Sequence, residues 1–81
     1  MFRKRVKVRQ DLIYRRAKDK ADRMSRGELA DWIDVVGTDL ATAARNYHAA
    51  PGITSAHDIH QNAIIMSALG YELCSRFNPV K

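Results

Sequence analysis

The chain has 81 residues, of which 46% are hydrophobic and 28% are charged, and its formal net charge at pH 7 is +5. A chain of this length buries only about 60–65% of its unfolded surface, which supports one domain with a thin core and excludes a deep catalytic cleft. The longest unbroken apolar run, residues 63–66, is far too short to cross a membrane.

The charge is divided unevenly along the chain. Eleven of the fourteen Lys and Arg residues and three of the nine acidic residues lie before residue 27, so the first 26 residues carry +8 and the other 55 carry −3. This distribution is typical of a binding protein whose positive end meets a polyanion or an acidic partner. The single cysteine, Cys74, allows no internal disulfide and indicates a reducing compartment, so the sequence predicts a cytoplasmic protein.

Residues 1–9 are the most basic segment. In an extended conformation, alternate side chains would point to opposite sides, and one side would carry only cations. These four are Arg3, Arg5, Lys7 and Arg9. The alternation predicts an extended basic arm; the alternative is that residues 2–9 form the first turns of helix 1.

Helical spacing of apolar residues begins at Gln10 and predicts helix 1 over about residues 10–24. Its apolar face is narrow and partly alanine, so we expect it to lie over the other helices as a lid. Ser25 and Glu28 have the spacing of a capping box, and Met24 and Leu29 that of a hydrophobic staple. These signals predict that helix 2 begins at about residue 26.

Helix 2 is predicted to run to about residue 49, because its apolar stripe continues through Gly37. A break at Gly37 is the alternative. A loop at residues 50–53 leads to helix 3, over about residues 55–77, which Thr54 or Ser55 is expected to cap and Asn78 and Pro79 to end.

The sequence thus predicts an all-α fold with three helices, in a single domain over residues 10–81. Small residues follow one side of helix 2 and one side of helix 3, which predicts a long antiparallel hairpin of these two helices. Gly37 and Gly70 would be the points of close approach, since a helix-interior glycine is useful where another backbone comes near.

Helix 3 is more apolar than two short partner helices can cover. Ile64, Ile65 and Tyr71 lie to the side of its main apolar stripe, which predicts contact with a second copy or with a larger protein assembly. Trp32 and Val35 stand beside aspartates on helix 2, a composition typical of an interface. The alternatives are that helix 3 is covered by helices 1 and 2 on its two sides, and that Trp32 packs beneath helix 1 or the N-terminal arm.

The basic end could also follow a DNA or RNA backbone through phosphate contacts. The candidate residues for polyanion binding are Arg3, Lys4, Arg5, Lys7, Arg9, Arg15, Arg16, Lys18 and Lys20. Base reading by helix 2 is not expected, because Asp31, Asp34 and Asp39 would be repelled by a DNA groove. Membrane binding is not expected either, because helix 1 lacks bulky apolar anchors.

The sequence predicts no enzymatic site, metal, cofactor or small-molecule ligand. His48, His57 and His60 could be brought together by a hairpin, but no cysteine or correctly spaced acid completes a zinc site. Cys74 has no identifiable base beside it, and the four glycines are scattered singly rather than forming a phosphate-binding loop.

The order of features resembles that of small helical proteins encoded by actinobacterial phages. The resemblance covers about two thirds of the chain and comprises Glu28, Leu29, Ala30, Asp31 and Trp32, an alanine-rich helix ending near Tyr47, a short loop, and an apolar helix ending in Glu72, Leu73 and Arg76. It implies no activity and no site residue. It implies at most a phage accessory or particle component, located in the host cytoplasm or in the virion.

The sequence therefore favours a non-enzymatic interaction or structural protein. It would associate with itself or with a larger assembly through helix 3, and its basic end would dock on a negatively charged surface. The alternative is a nucleic-acid-binding protein without sequence specificity that uses the arm and helix 1.

Overall fold

A computed structural model describes the backbone of residues 2–77 and the side chains of residues 10–77. Over that range the chain forms three α-helices and no strand: α1 (Phe2–Asp22), α2 (Arg26–Ala49) and α3 (Ile53–Phe77). The predicted all-α, three-helix architecture is confirmed. In the part of the chain that is described, none of these helices combines the length and the apolar character needed to cross a bilayer.

The start of α1 differs from the main prediction. The helix begins at Phe2, so the backbone of residues 2–9 follows the helical alternative, and α1 continues across the predicted domain boundary at residue 10. The extended basic arm is not confirmed. The side chains of Arg3, Lys4, Arg5, Lys7 and Arg9 lie outside the described side chains.

The start of α2 agrees with the prediction. The hydroxyl of Ser25 accepts a hydrogen bond from the backbone N–H of Glu28 at 3.2 Å, and the Glu28 carboxylate accepts one from the Ser25 N–H at 2.9 Å. These two bonds satisfy two of the backbone donors that a helix N-terminus otherwise leaves unpaired. The capping box therefore fixes the start of α2, and only three residues separate it from the end of α1.

The predicted ends of the other helices are partly correct. α2 runs unbroken through Gly37 to Ala49, as predicted. α3 begins at Ile53, two residues before the prediction, and the Gly52 carbonyl accepts the first helical bond from Ala56 at 3.1 Å. Thr54 and Ser55 therefore lie within the first turn rather than capping it. Asn78 and Pro79, the predicted stop, lie outside the described residues.

α3 is the middle helix, because both α1 and α2 pack extensively against it while their own backbones scarcely approach each other. The molecule is correspondingly flat, with extents of 42 × 31 × 18 Å. This matches the alternative in which helices 1 and 2 flank helix 3. α3 thus supplies one contact surface to each neighbour, and the remainder of its circumference is left free.

The core is small and consists of Ala21, Leu29, Val36 and Leu69, one or two from each helix. Around it pack the partly buried side chains of Met24, Trp32, Ile33, Ile65, Met66 and Leu73. Leu29 and Leu69 are fully buried, and each contributes about 1.5–3 kcal/mol relative to exposure. The core lies toward the end of the molecule where α1 connects to α2.

The contacts of α2 with α3 follow a consistent order. Leu29, near the start of α2, shares the core with Leu69 and Leu73, near the end of α3. Asn46, near the end of α2, lines a groove with Asp58, near the start of α3. The antiparallel hairpin of helices 2 and 3 stays a prediction.

The predicted close approach at small residues is wrong. A Cβ added at Gly70 would meet nothing within 4 Å, and one at Gly37 would only touch the Met66 side chain at an ordinary 3.7 Å. The predicted band on α3 is mostly exposed, as Ala63, Ser67 and Cys74 show. The reason is that α2 packs on the larger residues of α3, at about the level of Met66 and Leu73, and leaves its small residues outside.

Arg76 of α3 holds the end of α1. Its Nη2 donates hydrogen bonds to the carbonyl oxygens of Ala21 and Met24 at 2.9 and 2.7 Å, and its Nε donates to the Glu72 carboxylate at 2.8 Å. Glu72 is buried, with 7% of its surface exposed. The guanidinium therefore satisfies carbonyls at a helix C-terminus, where a cation is also favoured by the helix dipole, and it compensates a buried carboxylate.

We predict that Arg76→Ala lowers the free energy of unfolding by about 2–4 kcal/mol, because it leaves the buried Glu72 carboxylate without its cation and the Met24 carbonyl without its donor. This is below the loss of about 3–5 kcal/mol seen when a fully buried pair is broken, because the Arg76 side chain is 28% exposed. Urea unfolding followed by circular dichroism measures the change.

Arg45→Ala is the matched control, because Arg45 is exposed on α2. A further variant, Arg76→Ala with Glu72→Ala, should lose less than the sum of the two single changes, since neither charge is left alone. An Arg76→Ala protein as stable as the Arg45→Ala protein would show that this contact does not hold α1.

Candidate interaction surfaces

The outer face of α3 is the first candidate surface, and it comprises Ala63, Ser67, Gly70, Tyr71, Cys74 and Phe77. This face carries no charged side chain, and Tyr71 and Phe77 are 55% and 80% exposed. Cys74 is also exposed on it. α1 and α2 both pack on α3, but of their described side chains only Lys18 of α1 is placed over this face, at the Tyr71 ring. Its chemistry suits another protein surface better than water.

The predicted interface residues fall into two groups. Val35 and Tyr71 are each 55% exposed and can reach a partner directly. Ile64, Ile65 and Trp32 are partly buried, and the last two pack against the core. The structure therefore does not bring the five residues into one patch.

A groove between α1 and α2 is the second candidate surface. Its floor is Ile65 of α3, one wall is Ile13 and Ala17 of α1, and the other is Trp32 of α2. Arg16 and Lys20 stand at the α1 edge, and the groove has a volume of about 230 Å³. We call it the α1/α2 groove. It exists because the two outer helices pack on α3 and not on each other.

Trp32 takes part in this groove rather than lying wholly beneath α1. The Lys20 ammonium group stands 4.9 Å from the centroid of the Trp32 ring, a distance at which a cation is attracted to the face of an aromatic ring. This contact links α1 to α2 across the groove. The alternative interpretation, that Trp32 packs against helix 1, is thus partly correct.

A second groove, lined mainly by polar residues, lies between α2 and α3. Its lining residues are Asp39, Thr42, Ala43, Asn46, Asp58 and Asn62, and its volume is about 290 Å³. The Asn62 amide donates a hydrogen bond to the Asp58 carbonyl at 2.8 Å. This groove is acidic, in contrast to the apolar α1/α2 groove with its cationic edge.

The described cations of α1 do not form one stripe. Lys18 stands 5.4 Å from the Tyr71 ring on the α3 side, whereas Lys20 lies beside Trp32 on the α2 side. Arg15 and Arg16 are exposed, and exposed aspartates, Asp11, Asp19 and Asp22, are interspersed among them. The positive charge therefore surrounds the helix, and only part of it can face any one polyanion at a time.

The polar residues that sequence analysis considered for metal binding are not brought together. Among the described side chains, no three His, Cys, Asp or Glu residues lie close enough to hold a metal ion. His48, His57 and His60 are all exposed.

Sequence analysis did not identify the role of Glu72 and Arg76. One signal for it was present: α1 ends without a glycine, and although the Arg23 and Met24 N–H groups bond the Lys20 and Ala21 carbonyls, the Met24 carbonyl takes its donor from another helix. A Glu and an Arg four residues apart near the end of another helix can supply that donor.

The described part of the chain thus offers an uncharged helix face, several shallow grooves and a helix surrounded by cations. No protein-family model, curated protein or solved structure matches this chain.

Proposed function

We propose that this chain is a non-enzymatic interaction protein that binds a second copy, or a larger protein assembly, through the outer face of α3. Its basic N-terminal end docks on a negatively charged surface. The observation that carries the proposal is the outer face itself: from Ala63 to Phe77 it has exposed aromatic and small residues and no charge.

Small side chains on this face favour a protein partner. Ala63, Ser67, Gly70 and Cys74 would let a second helix approach to the near end of the usual 8–10 Å spacing between helix axes, while Tyr71 and Phe77 would supply apolar area at the edge. Single exposed apolar residues are common on protein surfaces, but an uncharged strip over four helical turns is not. A partner helix would remove this strip from water.

The proposal has further elements. α2 and α3 form the antiparallel hairpin that presents the outer face, and the first nine residues supply most of the cations that dock on the acidic surface. In line with the resemblance to small phage proteins, the assembly belongs to a phage particle or acts beside one in the host cytoplasm. An interaction role also agrees with the shallow form of both described grooves.

We predict that the protein in solution has a mass above the 9.2 kDa of one chain at micromolar concentration, and that Tyr71→Glu lowers this mass. A carboxylate at residue 71 would have to lose its water in the interface, and this desolvation opposes association even with Lys18 of the same chain close to that position. Static light scattering after size exclusion measures the mass.

Tyr47→Glu is the matched control, since Tyr47 is 43% exposed on α2, away from the outer face of α3. Circular dichroism checks that both variants remain helical. A monomeric wild-type protein would contradict self-association, and equal effects of the two substitutions would contradict the choice of face.

Binding to a nucleic-acid backbone is the second candidate function. It is favoured by the net charge of +8 on the first 26 residues and by the exposure of Arg15, Arg16 and Lys20 on α1. Phosphate contacts by such cations would be independent of base sequence. The aspartates of α2, which are exposed, would keep that helix away from the duplex.

If the basic end follows phosphates, affinities for unrelated duplexes should be similar and should fall steeply with salt, by about 0.9 in the logarithmic slope for each phosphate contact on B-DNA. Changing Arg3, Arg5, Lys7 and Arg9 together to Gln should then flatten the slope by roughly 2–4. Fluorescence anisotropy with labelled duplexes at several salt concentrations measures both quantities.

The opposite result is also informative. Negligible binding at physiological salt would exclude the nucleic-acid function, and tight, sequence-selective binding that survives the four substitutions would contradict both candidate functions.

A further inference from the structure

The α1/α2 groove lies on the opposite side of the molecule from the outer face of α3. Ile65, its floor, and Cys74, on the outer face, are nine residues apart on one helix, which corresponds to about 180° around the axis. A partner bound at the outer face therefore leaves the groove open, and the groove needs an occupant of its own.

The size of the groove favours a protein side chain over a free small molecule. Its volume of about 230 Å³ is below the range of about 300–1,000 Å³ that is usual for small-molecule sites. Its walls are apolar, and its charged groups, Arg16 and Lys20, stand at one edge. The matching partner is an apolar side chain that projects from a helix with carboxylates one turn away.

This chain presents such a side chain itself. Val35 is 55% exposed on α2, and Asp31 and Asp39, both exposed, lie one turn before it and one turn after it. A carboxylate stands on each side of Val35 along α2. A helix that entered the groove in either direction would therefore bring one of the two carboxylates toward the cationic edge. Val35 also follows Trp32, a wall of the groove, by three residues. The projecting side chain and the groove thus belong to neighbouring parts of one surface.

We infer that a second copy of this chain occupies the α1/α2 groove in a two-fold symmetric contact. Val35 of each copy enters the groove of the other, and Asp31 or Asp39 faces the partner copy's Arg16 and Lys20. In a two-fold interface each copy makes and receives the same contact, so one surface must carry both the projecting side chain and the groove that receives it. This surface carries both. The inference rests on the proposed self-association and assigns it a second contact.

Two such contacts on opposite faces would have a structural consequence. The outer face of α3 would join one pair of copies, and the groove would join each copy to another neighbour, so the chain could extend into an open assembly or close into a ring. If either the outer-face contact or the groove contact were lost, the other contact would still hold the copies together as dimers.

Charge reversal tests the groove contact. The first variant carries Arg16→Glu with Lys20→Glu, and the second carries Asp31→Lys with Asp39→Lys. Each variant alone places like charges across the contact, so the dissociation constant of the groove contact should rise on the order of 100-fold. An equimolar mixture should associate again, because each groove then meets a flanking pair of opposite charge.

Arg23→Glu with Arg26→Glu is the matched control, because both residues are exposed where α1 connects to α2 and the change in charge is the same, but neither lines the groove. Val35→Glu gives a second test, since a carboxylate at residue 35 opposes entry of this side chain into the partner's groove without altering the edge of the groove. Light scattering measures the mass of every sample, and circular dichroism reports folding. The fluorescence of Trp32, the one tryptophan, should shift to the blue as the concentration rises in the wild-type protein and not in the Val35→Glu variant.

The outcomes separate this inference from the proposed function. A wild-type protein that associates, loses mass with Tyr71→Glu and ignores both charge reversals would overturn the groove contact and leave the proposed function standing. A mixture that fails to associate again, while the control keeps the wild-type mass, would also overturn the groove contact. A wild-type monomer would overturn both.

Discussion

The three hydrogen bonds of Arg76 are the constraint on which the arrangement of this small protein depends. α1 ends without a capping residue, and its core face is largely alanine, with Ala17 and Ala21 as its buried members. Alanine buries little area, so apolar contacts alone hold α1 weakly. The guanidinium of Arg76 joins the last carbonyls of α1 to α3, and the buried Glu72 fixes the guanidinium in position. A directional polar contact thus replaces much of the apolar area that α1 lacks.

This contact also explains the flat shape. Arg76 anchors α1 to α3 at one end, the capping box at Ser25 starts α2 within three residues, and α2 then packs on a different side of α3. The outer helices are therefore close at their connection and separate elsewhere. The α1/α2 groove follows from that separation, and the bare outer face of α3 follows from the absence of a fourth helix among the described residues. Both candidate surfaces are consequences of one packing scheme.

Local signals in the sequence were enough for the number of helices and for the start of α2, but not for the starts of α1 and α3. The capping box at Ser25 and Glu28 depends only on residues three apart, and the unbroken apolar stripe predicted that α2 would pass through Gly37. Tertiary contacts were harder. The small residues of α3 were predicted to face α2, but they face outward, because burying Met66, Leu69 and Leu73 removes more apolar area from water than burying Ala63, Ser67 and Gly70 would. The contact of Arg76 with the end of α1 was not predicted, since it joins a side chain to backbone carbonyls 55 and 52 residues away, which no side-chain pattern reveals.

The candidate surfaces were predictable to a similar degree. The exposure of Tyr71 and Val35 could be inferred from their angular position on amphipathic helices, and both are exposed. The groove could not be inferred, because it depends on how α1 and α2 diverge over α3. The pairing of Lys20 with Trp32 has the same origin, since it joins residues of two helices whose separation is set by a third.

The central claim is that α3 binds a partner copy with its outer face while its other sides hold the fold. Cys74, the one cysteine, is exposed on that face, so a nitroxide spin label can be attached without changing the sequence. In labelled protein that keeps the wild-type mass by light scattering, two labels should lie close together, and dipolar coupling between them should appear as copies associate. The coupling should persist in the Val35→Glu variant, whose groove contact is blocked. Association without any coupling between the labels would contradict the claim.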